Sequence, residues 1–156
     1  MNKKREDKSD NEQKRNMTDS YQSDHDRISH LINLTDIISD ALISTDLEFN
    51  ALEWNAAAER MYGWRLIEVK GHPLNEFLQI EYIDSIQEAA IRSALKQGKW
   101  QGEVIQHHKD GTRFSTTMSI LLVKDQNGNP IGFVSINRDI TEHNQTEQAL
   151  HESEIQ

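Results

Sequence analysis

Apolar residues are nearly missing from the start of the chain and then arrive in ordered patterns. Residues 1–20 hold two, Met1 and Met17, among six positive and five negative side chains. Such a stretch cannot bury enough surface to offset the entropy of ordering it, so residues 1–25 are expected to form a disordered polar tail. From residue 26 the pattern changes. Ile28, Leu31, Thr35, Ile38 and Leu42 recur at alternating spacings of three and four. That period predicts an amphipathic helix over 26–40. Its seam can pack on its own domain or pair with a second copy as a short coiled coil, and a homodimer through residues 28–42 is the favoured reading.

Two short runs follow, at 41–46 and 50–55, which read as strands around a turn at 46–50. Asn55 has the chemistry of a helix cap, and a helix is predicted over 56–62, ended by Gly63. Shorter helical turns are predicted at 66–69 and 74–78, with Gly71 and Pro73 between them. Residues 82–96 carry the clearest amphipathic pattern. Tyr82, Ile86, Ala90 and Ala94 fall on one face, Ile83, Ile91 and Leu95 widen it, and Gly98 closes the helix. The remainder alternates with period two. Strands are predicted at 100–109, 113–124 and 131–138, joined by Asp110-Gly111 and by the turn at 125–130. In the middle strand Phe114, Thr116, Met118, Ile120 and Leu122 share one face, and Arg113, Ser115, Thr117 and Ser119 the other. Hairpins at both ends with helices between them predict an α+β fold, a five-stranded antiparallel sheet with helices on one face.

The last strand runs into Arg138-Asp139-Ile140-Thr141-Glu142. Asp139 suits a helix N-cap, and Glu142, three residues on, suits a capping box at the positive end of the helix dipole. The domain proper is therefore assigned to 41–139 and a C-terminal helix to 140–156. That helix has few apolar side chains and little stability of its own. A strand feeding a capped helix transmits movement with little slack, so the junction is expected to be the output of a sensor.

Composition removes several functions. The formal charge is −9, from 17 basic and 26 acidic side chains, which argues against nucleic acid as a partner. There are no cysteines, which excludes disulfides, thiolate metal sites, cysteine nucleophiles and cysteinyl–flavin adducts. The longest unbroken apolar run is Ile120-Leu121-Leu122-Val123, far short of the ~20 residues of a membrane span. A cytoplasmic chain is expected. The seven histidines are scattered, and His107 and His108 point to opposite faces of a strand. No phosphate-binding loop or nucleophile elbow is present, so neither an enzyme nor a metal centre is expected.

Two sets of residues resemble the PAS domain family. The first is Ile43, Asp46, Trp54-Asn55-Ala56-Ala57, Tyr62-Gly63-Trp64, Glu68 and Gly71. The second is Trp100-Gln101-Gly102-Glu103, His108-Lys109-Asp110-Gly111, Gly128, Gly132-Phe133 and Arg138 to Glu142. The resemblance covers about residues 30–145. It implies a sheet in the order 2-1-5-4-3 with helices on one face, often enclosing a small-molecule cavity. It also implies a sensory module that passes a change to an output domain such as a histidine kinase. The alternative is a ligand-free module for dimerisation and interaction. By the same resemblance Asp139, Thr141 and Glu142 form the signal junction, and Glu68 pairs with Lys109 across the flap.

A cavity of that kind would be lined by Met61, Tyr62, Phe77, Tyr82, Ile86 and Ile91 from the helical side. Met118, Ile120, Val134 and Ile136 would come from the sheet, with Ser135 or Asn137 orienting a polar group. Haem-binding relatives offer an axial histidine from the long helix. None lies in 82–96, and His72 is followed directly by Pro73, which argues against haem. A noncovalent flavin is compatible with the resemblance, with Trp54, Trp64, Trp100 and Asn137 as candidate contacts.

Overall fold

A computed structural model describes residues 3–34, 39–141 and 149–152. Helix α1 spans Lys3–Leu34, followed by β1 (Ala41–Thr45), β2 (Ala51–Trp54), α2 (Ala56–Tyr62), α3 (Leu66–Val69) and α4 (Leu74–Leu78). Then come β3 (Glu81–Tyr82), α5 (Gln87–Gln97), β4 (Lys99–His107), β5 (Arg113–Lys124) and β6 (Pro130–Asp139). The strands form one antiparallel sheet in the order β2-β1-β6-β5-β4-β3. This is the expected α+β fold with a two-residue edge strand, β3, added beside β4. The helical side and the inner face of the sheet enclose one core, in which Ile43, Tyr62, Leu74, Leu78, Val104, Met118, Ile120 and Phe133 are all at most 1 % exposed.

Local chemistry accounts for the shorter elements. Asn55 caps α2 as expected, with its side-chain oxygen accepting from the Ala58 N–H. Gly63 ends α2 at φ 73°, a conformation that costs glycine nothing. The Tyr62 ring stacks at 5.9 Å on Trp54 and lies 6.0 Å from Phe114. α2 is thereby pinned to both halves of the sheet.

Three expectations are corrected. Residues 3–25 are helical, continuous with the predicted amphipathic helix, where a disordered tail was expected. Their polarity excludes a core but not a solvent-exposed helix, which needs only its own backbone bonds. No glycine or proline precedes Gly63, and Asp10 stands four residues before Lys14 at the spacing that supports a helix. Within α1, Ile32 is buried and Leu31 is 61 % exposed. Of the remaining stripe residues, Leu42 belongs to β1, and Thr35 and Ile38 lie outside the described residues.

The helix predicted over 82–96 begins only at Gln87, with Ile86 at the N-cap position. Tyr82 is instead in β3, opposite Val104 of β4, and its ring meets Trp100 edge-on at 5.5 Å. The sheet edge and an aromatic partner thus override a helical period. Ile86 is left 61 % exposed. Finally, Val134 and Ile136 were expected in the core. They oppose Ser44 and Leu42 on the outer face, while Ser135 and Asn137 turn inward.

Candidate functional site

Four buried polar side chains run across the core as one hydrogen-bonded chain. The Tyr62 hydroxyl, from the end of α2, donates to Gln106 Oε1 of β4 at 2.7 Å. Gln106 Nε2 donates to Asn137 Oδ1 of β6 at 2.9 Å and lies 3.8 Å from Met118 Sδ. Asn137 Nδ2 donates to Ser135 Oγ at 3.0 Å and reaches the Ala41 carbonyl at 3.5 Å. All four side chains are 0 % exposed. A buried amide without partners costs ~1–3 kcal/mol, so each member holds the next in place. Burial raises the Tyr62 pKa well above the ordinary tyrosine range, the bond to Gln106 opposes this, and the charge of Asp139 adds to it. Tyr62 therefore stays a hydroxyl donor throughout the physiological range.

Not every polar atom in the core joins this chain. Trp54 Nε1, Tyr82 Oη and Thr116 Oγ1 are buried without a hydrogen-bond partner among the described residues. Tyr82, Val104 and Thr116 fall in one row across β3, β4 and β5, so two of these atoms flank Val104 on the same face. Burial, then the nearby Glu88, raises the Tyr82 pKa far above its usual range. Buried polar atoms without partners are uncommon enough to mark a place where a polar group could be received.

Of the proposed pocket residues, Tyr62, Met118, Ile120, Ser135 and Asn137 come together in the core. Met61, Phe77 and Tyr82 are half-buried at its edge, with Phe77 packed edge-on against Trp64 at 5.0 Å. Ile86 does not join them, for the reason given above. Gln106 was missed. The signal for it was present, since period two from Trp100 through Val104 carries the inner face to Gln106. A concavity of about 640 Å³ opens on the opposite face of the sheet, between Asp40, Gln101, Thr117, Ser119, Ile136, Arg138, Asp139 and Ile140. It shares no residue with the polar chain and lies at the junction instead.

The turn between β4 and β5 latches onto the segment after α2. The Lys109 N–H donates to the Tyr62 carbonyl at 2.8 Å. Lys109 Nζ reaches Glu68 Oε1 at 2.8 Å and sits 4.6 Å from the centre of the Trp64 ring. The His108 ring fills the space that a Cβ at Gly63 would need. Where β6 ends, the Thr141 N–H donates to Asp139 Oδ1 at 2.9 Å. The Ile140 N–H donates to the Ser115 carbonyl at 3.1 Å. Glu142 lies outside the described residues. Residues 149–152 are helical and exposed.

Among the described residues nothing offers a haem its axial ligand. No described histidine is buried, so none presents an axial nitrogen to the core. His72 is exposed beside Phe77, and His107 Nδ1 sits 3.2 Å from the Leu78 carbonyl. The core amides that could meet a flavin ring are engaged with Tyr62, with each other and with Ser135. Among the described residues no three His, Asp or Glu side chains gather as a metal site. No described helix is long and apolar enough to cross a membrane.

Comparison with known proteins matches a PAS domain model over residues 39–142. A PAS domain structure from Colwellia psychrerythraea is 32 % identical, with a TM-score of 0.60, and the match covers 69 % of this chain and 91 % of that one. The probable diguanylate cyclase DgcE of Escherichia coli is 28 % identical over 109 residues, which is 69 % of this chain and 10 % of that protein. The sensor protein FixL of Bradyrhizobium diazoefficiens is 29 % identical over 133 residues, 81 % of this chain and 25 % of that protein. The chain thus spans a quarter or less of these two curated relatives.

Proposed function

The chain belongs to the PAS domain family, and on that footing we infer that it is a sensory input module. It holds a small molecule against the inner face of its sheet and passes the change through the segment after Asp139 to an output domain, a histidine kinase or similar. The observation that carries this reading is the buried chain Tyr62–Gln106–Asn137–Ser135. It starts on the helical flap and ends on β6, where Asn137 stands two residues before Asp139. A ligand that bonds Gln106 competes with Tyr62 and reorients Asn137. Only a ligand that binds the two arrangements differently has an effect. The module does no catalysis itself. Its relatives, a sensor protein and a probable diguanylate cyclase, are several times longer and supply precedent for an attached output. Leu31, exposed beside the buried Ile32, supports a homodimer through residues 28–42. The absence of cysteine fits a reducing cytoplasm.

The second reading is a ligand-free interaction module, favoured by the same chain, since its members already satisfy one another. The deciding measurement is native mass spectrometry with an absorption spectrum of the purified protein, followed by a melting-temperature screen of small polar metabolites. A retained mass, or a shift abolished by Gln106→Leu, supports sensing. A bare dimer whose melting temperature no compound moves supports the interaction module. For the junction, Asp139→Ala should remove a cap worth ~1 kcal/mol and loosen coupling while leaving affinity intact. Equal loss of binding would make Asp139 part of the pocket's own framework.

A further inference from the structure

The chain enters and leaves the sheet at the same place. Ala41, the first residue of β1, opposes Asn137 of β6, so the residues beyond them, Asp40 and Arg138, are cross-strand neighbours. They meet in a two-toothed ion pair, with Arg138 Nε 3.3 Å from Asp40 Oδ1 and Nη2 3.1 Å from Oδ2. Asp40 raises the Arg138 pKa further above its ordinary value. An exposed ion pair is usually inert. This one differs in what else holds its acid. The Asp40 side chain is 18 % exposed against 70 % for Arg138, and the Asp40 carbonyl accepts from Asn55 Nδ2 at 3.0 Å. Asn55 Oδ1 in turn accepts from the Leu42 N–H at 3.1 Å and from the Ala58 N–H that starts α2 at 3.0 Å. Asp40 is therefore fixed from behind by the buried cap of α2 and in front by the strand that runs into the junction.

We propose that Asp40 and Arg138 form a clasp that makes the entry and exit of the domain move together. A displacement arriving at the N-terminal edge then reaches Asp139–Thr141 without any change in the core. This gives the module a second input, mechanical and independent of ligand, and suits it to relay motion between a helix before it and a helix after it. The relay depends on charge geometry and not on what the core binds, so it stands whether or not the sensing reading does.

Amide hydrogen exchange on the whole chain tests it. Asp40→Asn and Arg138→Gln should each speed exchange at Ile140 and Thr141 about two- to fivefold, the range open to a surface pair. Amides of the central sheet, such as Ile43 and Met118, should be unchanged. The reversed pair, Asp40→Arg with Arg138→Asp, should restore the rate to within about twofold. Asn55→Asp keeps the cap oxygens but loses the donor to Asp40. It should speed Ile140 and Thr141 in the wild-type background and have no such effect beside Arg138→Gln. Unchanged rates in the single variants, failure of the reversed pair to restore them, or a uniform rise across the sheet would each overturn the clasp. So would an Asn55→Asp effect that persists without Arg138.

Discussion

Strands β5 and β6 lie side by side, paired from Thr116 and Asp139 to Lys124 and Pro130, and both alternate polar and apolar residues. Over Val134–Asn137 they do so with opposite sign, whereas Ile131 and Phe133 of β6 face the core as apolar residues. On β5 the apolar Met118 and Ile120 face the core while Thr117 and Ser119 face outward. On β6 it is Ser135 and Asn137 that are 0 % exposed, while Val134 and Ile136 face out, only partly covered. Alternation fixes that a segment is a strand and which residues travel together. It does not fix which set goes inside. On β5 the hydrophobic effect decides. On β6 the inward amide and hydroxyl are accepted because Gln106, and through it Tyr62, supply their partners. At that end of β6 the core is held by hydrogen bonds as well as by apolar contact.

The strongest way to break this contrast is at Gly132, which faces Val123 of β5. β5 tolerates a branched side chain there. β6 tolerates none, since a Cβ on Gly132 would come within 2.1 Å of the Thr45 carbonyl oxygen. Gly132→Ala is expected to cost roughly 3 kcal/mol, the upper end for overpacking, read as a lower urea midpoint. Val123→Ala at the facing position should cost well under half as much. Equal midpoints for wild type and Gly132→Ala would mean that β6 does not approach the β1 turn so closely.

A matched pair of substitutions sharpens the contrast on the inner face itself. Asn137→Leu on β6 leaves the Gln106 N–H without its acceptor and should cost ~2 kcal/mol. Thr116→Val on β5 removes a hydroxyl that has no partner among the described residues, so it should be neutral or stabilising by up to ~1 kcal/mol. Denaturant unfolding of both variants at one pH is sufficient. If Thr116→Val costs as much as Asn137→Leu, Thr116 is bonded in solution and the inversion on β6 says nothing special about stability.

The same two strands show how far the sequence could be read. The elements from β1 to α4 and all of β5 were legible because local signals agreed: the Asn55 cap, the Gly63 stop, the alternation of 113–124. The start of α5 was not, because Tyr82 answers to an aromatic partner on β4 that no local window contains. The part of α1 before residue 26 was missed because low apolar content was taken to forbid order, when it forbids only burial. Tyr62, Met118, Ile120, Ser135 and Asn137 were named from period and resemblance, and they meet in the core. Gln106 was not named, although period two puts it on the face of Val104, since a glutamine on a strand is ordinarily at the surface.

The smallest expected effect concerns how each strand is tied down. The end of β6 is held by the pair between Asp40 and Arg138. The start of β5 is held through the hairpin before it, where Lys109 grips Glu68. That hydrogen bond from Lys109, and then the Arg65 N–H, lower the Glu68 pKa. A carboxylate whose folded pKa lies below its unfolded value, about 4.3, stabilises the fold fully above that value. The contribution is lost as pH falls from there through the folded pKa. Between pH 7 and 3.5 the wild-type urea midpoint should therefore fall more steeply than that of Glu68→Gln, with the two curves converging at the acid end. Glu68 is solvent-exposed in its pairing, so the separation should be slight and should shrink further in 0.5 M salt, where the screening length is about 4 Å. Curves that fall in parallel would assign the hold of the hairpin on the flap to the Lys109 backbone bond and the Trp64 ring instead.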